Sequence, residues 1–425
     1  MTLSRTLTSI GTLTLALAAG CSSTRANQAA GSGAGGGDAG TGGAAPLPCG
    51  ASGVSKGPWS FGLDGTSAKL RWEACRQGVT GTVTYAPEAG GAPLTAEAVE
   101  SSFTTLNTYT AILDPSVPPD LAGTWYMHDV ALTGLTPATC YTYQLAADPS
   151  TLEGRFCTAR APGDPLTFMS IGDTNPGIGP YAAGDLQYSL PKNPDFTIHG
   201  GDIQYYSSGL ETWASWFPVM EPMLAQGGFF PAIGNHEAEE PDEYVAYTER
   251  YFGTPGFDGN EYYRFQSAGV WFFSLDTEEP LDPGSAQGGW LIKELADATT
   301  QPGFRFSIVY FHRPLVTCGD TGDNPELRAL LEPFFLQYHV PIVIQAHMHG
   351  YERFEFGNIT YLTIAGGGGI IGNPDLNVSR SYCNMRVASG GVRHAAIFEV
   401  GTGTVHGTIT DWQGNVFDSF TETVP

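Results

Sequence analysis

The stretch DFTIHGGDIQY, Asp195–Tyr205, decides the fold. A short apolar run stops at two glycines and a carboxylate. It lacks period-two alternation, so as a strand it must be buried on both faces, which calls for sheets covered by helices. The same texture recurs on either side of it. Leu166–Ile171, Phe229–Ile233, Val270–Leu275, Phe304–Phe311, Val340–Ile344 and Ile359–Ala365 are apolar runs separated by longer, partly helical segments. Residues 162–425 therefore read as an α/β domain, and in such domains ligand chemistry gathers at the carboxyl ends of the strands.

Those ends carry a repeated set of residue types. Gly172-Asp173 closes the first run and Gly201-Asp202-Ile203-Gln204-Tyr205 the second. Gly234-Asn235-His236-Glu237, Val309-Tyr310-Phe311-His312 and Ala346-His347-Met348-His349 close three later ones. Two carboxylates, a phenol, an amide and three imidazoles are a mixed oxygen and nitrogen donor set, suited to a pair of iron, manganese or zinc ions sharing one carboxylate. The glycines let the backbone turn sharply into the site. Asp173, Asp202 and a Tyr205 phenolate would leave a trivalent and a divalent ion with surplus positive charge, which a phosphate ester dianion would seek. Each element alone is weak, and a lone histidine is more often a satisfied core residue; His128, His199, His339, His394 and His406 read that way.

The order Gly-Asp, Gly-Asp-x-x-Tyr, Gly-Asn-His-Glu, Val-x-x-His and His-x-His resembles the calcineurin-like metallophosphoesterases, and Tyr205 three residues after Asp202 narrows the resemblance to the purple acid phosphatases. The resemblance implies that Asp173, Tyr205 and His349 hold Fe(III), that Asn235, His312 and His347 hold a divalent ion (Zn, Fe or Mn), and that Asp202 bridges them. It also implies that His236 bonds the phosphate or protonates the leaving alkoxide. The expected reaction is hydrolysis of a small-molecule phosphate monoester by a hydroxide activated at the dinuclear centre, surviving into mildly acid pH. A phosphodiesterase or nucleotidase on the same site is the alternative, and an inert surface binding protein a third reading, disfavoured because no ligand position is lost. Three departures stand out. Asn175 occupies a position where relatives without the tyrosine carry histidine; Ala346 replaces a glycine; Thr321-Gly322 stand where plant-type enzymes have further histidines, leaving a second leaving-group acid unassigned.

Upstream, residues 49–161 change to period two, as in Ala68–Trp72, Gly81–Tyr85, Trp125–Leu132 and Cys140–Leu145, with turn residues between. That is the pattern of an all-β sandwich. Leu135-Thr136-Pro137-Ala138-Thr139-Cys140-Tyr141 resembles the tyrosine corner of fibronectin type III-like domains, which implies that the Tyr141 hydroxyl bonds nearby backbone. The expected fold is thus a fibronectin III-like all-β sandwich followed by an α/β metallophosphoesterase domain whose β sheets pack as a sandwich flanked by helices. Trp213, Trp216 and Phe217 read as helix core, Arg313 as an ion-pair partner, and Gly366–Gly369 as a loop near the metals.

The first 20 residues read as an export signal, and Leu17-Ala18-Ala19-Gly20-Cys21 resembles a bacterial lipoprotein site with Cys21 lipidated. Residues 21–48 then form a Gly/Ala/Ser-rich tether, about 30 Å root-mean-square as a flexible coil. Export and a lipid anchor in the cell envelope are the expectations; the alternative is a periplasmic or secreted form. Of 7 cysteines, removing Cys21 leaves 6, an even number that fits an oxidising compartment. Fifteen connectivities are open; proximity favours Cys49 with Cys75, Cys140 with Cys157, and Cys318 with Cys383. With 19 basic against 43 acidic residues, formal charge −24, and no basic run, nucleic acid and anionic membrane surfaces are excluded as partners. Oligomeric state is unassigned.

Overall fold

The computed structural model describes residues 52–79, 81–105, 123–147, 150–176, 179–205, 209–238, 250–253 and 261–425. The export signal, the tether, Cys21 and the pairing of Cys49 with Cys75 lie outside them. Cys75 is disulfide-bonded, Cys140 bonds Cys157, and Cys318 bonds Cys383.

The period-two segments form β1 (Val54–Phe61), β2 (Ser67–Ala74), β3 (Thr82–Pro87), β4 (Leu94–Glu97), β5 (Val99–Thr105), β6 (Gly123–Thr133), β7 (Cys140–Ala147) and β8 (Ser150–Cys157). In β7 the alternation is clean: Tyr141, Tyr143 and Leu145 are buried while Thr142, Gln144 and Ala146 are exposed. The Tyr141 hydroxyl accepts from the Thr136 N–H at 2.9 Å. Strands β4-β3-β7-β8 make a four-stranded sheet, antiparallel throughout.

The apolar runs become β9 (Leu166–Ile171), β10 (Phe196–His199), β11 (Gly228–Pro231), β12 (Tyr263–Ser267), β13 (Val270–Ser274), β14 (Phe306–Tyr310), β15 (Ile342–Gln345), β16 (Tyr351–Phe356) and β17 (Ile359–Ile364). They are followed by β18 (Arg386–Gly390), β19 (His394–Gly401), β20 (Thr404–Asp411) and β21 (Val416–Thr423). One sheet runs β21-β20-β19-β9-β10-β11-β1-β2-β6-β5 and the other β12-β13-β14-β15-β17-β16-β18. Strands β9, β10 and β11 are parallel, as are β13, β14, β15 and β17.

Successive side chains in these strands serve different layers, which is why no polar alternation is written in them. Phe168, Phe196 and Phe230 meet Phe265 and Phe272 of the facing sheet in the central core. Their neighbours Met169, Ile171 and Phe229 pack outward under α1 (Tyr181–Ser189) and α2 (Gly209–Leu224), with Trp213, Trp216 and Phe217. On the far side Phe273, Val309 and Val343 pack under α3 (Ala286–Thr299) and α4 (Pro325–Gln337). Helix α3 starts on Ser285, whose hydroxyl accepts from Gly288 N at 3.0 Å. Helix α4 starts on Asn324, which accepts from Leu327 N at 3.0 Å with Pro325 in the first turn; such caps satisfy helix-end donors that would otherwise be orphaned.

The described residues pack as a single unit. Strand β1 pairs in parallel with β11 at Ser60 and Gly228, so backbone pairing crosses the sequence boundary at residue 161. Arg160 pairs with Asp195 at 2.5 Å, and Arg155 N donates to Ala225 O at 2.7 Å, across the same line. The carboxyl ends of β9, β10 and β11 in one sheet face those of β14 and β15 in the other, bringing Asp202 Oδ2 within 3.3 Å of His312 Nε2.

Candidate metal centre

Asp173 follows β9, Asp202 and Tyr205 follow β10, Asn235 follows β11, His312 follows β14, and His347 and His349 follow β15. Three of these residues hold a left-handed backbone, with φ +56° at Asp173, +49° at Asp202 and +68° at His347. Asp and His tolerate this better than most residues, at on the order of 1–3 kcal/mol each, and such outliers persist where the surroundings over-determine them. Gly201 and Gly234 make the turn possible. A Cβ on Gly201 (φ +89°) would lie 2.9 Å from His312 Nδ1, and one on Gly234 would lie 2.3 Å from Asp202 N.

The seven side chains converge. Tyr205 Oη lies 3.2 Å from Asp173 Oδ1 and 2.9 Å from His349 Nε2, and His349 Nε2 is 3.2 Å from Asp173 Oδ1. His312 Nε2 lies 3.1 Å from Asn235 Oδ1, 3.0 Å from His347 Nδ1 and 3.3 Å from Asp202 Oδ2. Among the described residues, Asp173, Asp202 and His349 form one cluster able to hold a cation, and Asp202, His312 and His347 another, so the two share Asp202. His236 stands at the edge: its Nε2 is 3.8 Å from Asp202 Oδ2 and its ring centroid 4.5 Å from that of Tyr205.

Orientation fits cations as well as proximity does. A carbonyl can only accept, so His312 Nδ1–H donates to Gly200 O (3.0 Å) and His349 Nδ1–H to Ile370 O (2.7 Å). Each ring therefore turns Nε2 inward, the second-sphere arrangement that orients metal-binding imidazoles. Asp202 Oδ1 accepts from His236 N at 2.9 Å, which leaves Oδ2 directed into the cluster.

The electrostatics of the metal-free donor set point the same way. Burial works against charge on His312, yet the Asp202 carboxylate beside it pushes its pKa up to about 10. For His349, burial is again outweighed, by the hydrogen bond and charge of Asp173, which raise it to about 9. Burial and the His312 cation press His347 down to about 4. Burial, then Asp173 and Asp202, lift the Tyr205 phenol well above its ordinary value. Asp202 is buried, which alone would raise it, but His312 and His236 hold it below the carboxylate range. Protons gather where positive charge is wanted, and cations would compete for those positions.

Glu237 ends the Gly-Asn-His-Glu string, two residues after Asn235. It is buried and accepts three backbone N–H groups: Asp202 N at 2.8 Å and Gly234 N at 2.9 Å on Oε2, and Ile203 N at 2.8 Å on Oε1. It thus ties the β10 and β11 turns together beneath Asp202. Its pKa is pushed up to about 8 by burial and by Asp202. Glu237→Gln sets an amide NH₂ against a backbone donor and is expected to weaken metal retention about 10–100-fold, as for other outer-sphere changes. Competition with a chelator measures this; wild-type retention would reduce Glu237 to a space-filler.

Two histidines outside the cluster, His199 and His394, hydrogen-bond to neighbouring groups. His199 lies behind the site, with Nε2 3.0 Å from Thr174 Oγ1, and burial lowers its pKa to about 3. His394 is buried with Nδ1 on Val392 O at 3.0 Å. Arg313 pairs with Glu278 at 2.6 Å and its Nη1 lies 3.3 Å from His347 Nε2. Gly368 bridges to Thr174, and a Cβ on Gly369 would lie 2.8 Å from the His349 ring, so the glycine run does border the cluster.

Residues 166–351 match the family model described as calcineurin-like phosphoesterase. An uncharacterized protein of Mycobacterium tuberculosis is 30% identical over 262 residues, covering 52% of this chain and 49% of that protein. Probable purple acid phosphatase 20 of Arabidopsis thaliana is 26% identical over 284 residues, covering 60% and 65%. Phosphoenolpyruvate phosphatase of Allium cepa is 28% identical over 262 residues, covering 57% and 53%. The chain thus spans 49% to 65% of these curated relatives. The purple acid phosphatase from yellow lupin (Lupinus luteus) seeds superposes with a TM-score of 0.71 at 19% identity, covering 86% of this chain and 74% of that one. Together with the match over residues 166–351, that likeness supports the calcineurin-like metallophosphoesterase fold.

Proposed function

We propose that this protein hydrolyses phosphate monoesters at a two-ion centre, with Fe(III) on Asp173, Tyr205 and His349, a divalent ion (Zn, Fe or Mn) on Asn235, His312 and His347, and Asp202 between them. The observation that carries the reading is the pair of donor clusters sharing Asp202 at the ends of strands from two sheets. Bound there, the ions would supply positive charge to the phosphoryl oxygens and a strong nucleophile from water at neutral to mildly acid pH.

The chain's own groups do the rest. The backbone turns at Gly201 and Gly234 fix Asp202, and Gly200 O and Ile370 O fix the imidazole planes. His236, partly exposed beside Asp202, is placed to bond a phosphoryl oxygen and to hand the proton on Nε2 to the departing alkoxide. The overall charge of −24 would repel a dianion, so attraction has to come from the centre itself.

The same proposal includes export, a lipid anchor at Cys21 and a fibronectin III-like role for residues 49–161. Disulfides at Cys140–Cys157 and Cys318–Cys383 support an oxidising compartment. Among the described residues no helix is long and apolar enough to cross a membrane.

Purified full-length protein, assayed for bound metal and for turnover of p-nitrophenyl phosphate against bis-p-nitrophenyl phosphate, tests the reading. Two ions per chain and preference for the monoester are expected; diester preference would transfer the site to phosphodiesters, and no turnover by metal-loaded protein would end it. Iron-loaded protein is expected to be coloured through the Tyr205 phenolate. Tyr205→Phe should abolish that visible band, and a band of unchanged intensity would remove Tyr205 from the iron.

A further inference from the structure

A groove of about 520 Å³ opens beside the donor cluster, lined by His347 at one end and by segments following β13 and β14 and opening α4. If the phosphoryl group of an ester rests on the cluster, the alcohol portion has this groove to enter. Its chemistry is uneven. Leu281 and Leu315 give it buried apolar wall, and Leu330 adds an exposed apolar surface. Glu279, Asp282, Asp323 and Glu326 surround that apolar wall with carboxylates.

The positive side is already spent. Arg313, the one Lys or Arg among the described residues of the lining, is held by Glu278 through two hydrogen bonds, Nε to Oε1 at 2.6 Å and Nη2 to Oε2 at 2.9 Å. Asp323 is partly offset by Arg380 at 3.1 Å, and Asp282 accepts from Gly284 N at 2.9 Å. Glu279 and Glu326 take part in no ion pair among the described residues. The groove is therefore a net-negative, half-apolar channel leading away from a centre that needs an anion. A leaving group bearing a second phosphate or a carboxylate would be repelled; one bearing an ammonium on a short aliphatic chain would be drawn in.

We infer that this groove selects phosphate monoesters of small amino alcohols, with the ammonium group lying against Glu279 and Glu326. The inference rests on the phosphatase reading above and names its substrate class. No new bond chemistry is involved: the P–O ester bond breaks, water supplies the oxygen, and the alcohol leaves with its ammonium unchanged.

The test compares phosphocholine with 3,3-dimethylbutyl phosphate, its uncharged isostere, and with phosphoenolpyruvate, using the full-length metal-loaded protein and p-nitrophenyl phosphate as reference. On the inference, kcat/KM for phosphocholine exceeds that for the isostere about tenfold at low salt, and the ratio shrinks toward one at high salt, as Coulomb attraction across a wet groove must. The double variant Glu279→Gln with Glu326→Gln should bring the ratio to about one. A second arm needs no catalysis: in the metal-free protein, saturation-transfer NMR should show choline bound more tightly than 3,3-dimethylbutan-1-ol, and equally in the double variant. Turnover of p-nitrophenyl phosphate with a phosphocholine ratio at or below one overturns the inference alone. A tenfold ratio that survives the double variant overturns the assignment to this groove. No turnover of any ester overturns the phosphatase reading and this inference with it.

Discussion

Asp202→Asn is expected to lower kcat/KM for p-nitrophenyl phosphate by at least about a thousandfold, beyond the 10²–10³ typical of removing one stabilising donor, and to cut bound metal from two ions to one. The substitution is nearly isosteric and leaves the local scaffold intact. Asn tolerates the left-handed backbone at φ +49°, the side-chain oxygen can still accept from His236 N, and Asp202 N can still donate to Glu237. What changes is the atom facing His312 Nε2 at 3.3 Å: an anionic oxygen becomes an NH₂. Because Asp202 is the member common to both clusters, its loss disturbs both at once, whereas Asn235 belongs to one side. The controls are far-UV circular dichroism without metal, expected to match wild type, and metal content after dialysis. A variant keeping a tenth of the activity would remove Asp202 from the reaction.

The second large effect concerns the core rather than the site. Phe168 is fully buried between the sheets, stacked on Phe398 (centroids 4.7 Å) and Phe196 (5.7 Å) and edge-on to Phe272 (5.1 Å). Phe168→Ala removes a side chain in contact with both sheets, and partial collapse around the void leaves a cost of about 3–5 kcal/mol. Urea titration measures it as a lower midpoint at similar slope. Since Asp173, Asp202 and Asn235 hang from one sheet and His312, His347 and His349 from the other, metal retention should weaken in parallel. A loss under about 1 kcal/mol would mean that the surrounding rings close the gap, as well-relaxed sites can.

The donors were legible because each stands just past an apolar run, and a run buried on both faces announces its own end. The Tyr141 contact was legible for a similar reason: Tyr141 bonds Thr136, five residues away, so the local string contains both partners. Glu237 was not, because its partners at Asp202 and Ile203 arrive from another strand, and nothing in Gly-Asn-His-Glu tells which backbone amides lie beneath it. The groove was hidden for the same cause: Glu279, Arg313 and Glu326 come from three separated segments. Nor does any local pattern disclose that β1, written in the idiom of an antiparallel sandwich, has a parallel neighbour in β11.

That last contact changes what the front half of the chain is for. With Ser60 of β1 paired to Gly228 at the start of β11, and the Trp59 indole N–H donating to Tyr251 O at 2.8 Å, the early strands brace the strand that presents Asn235. Cutting the polypeptide at residue 161 would strip the brace away and expose a raw β11 margin, the kind of unguarded border along which chains stick to one another. Recombinant shortening should therefore yield inclusion bodies rather than a minimal enzyme.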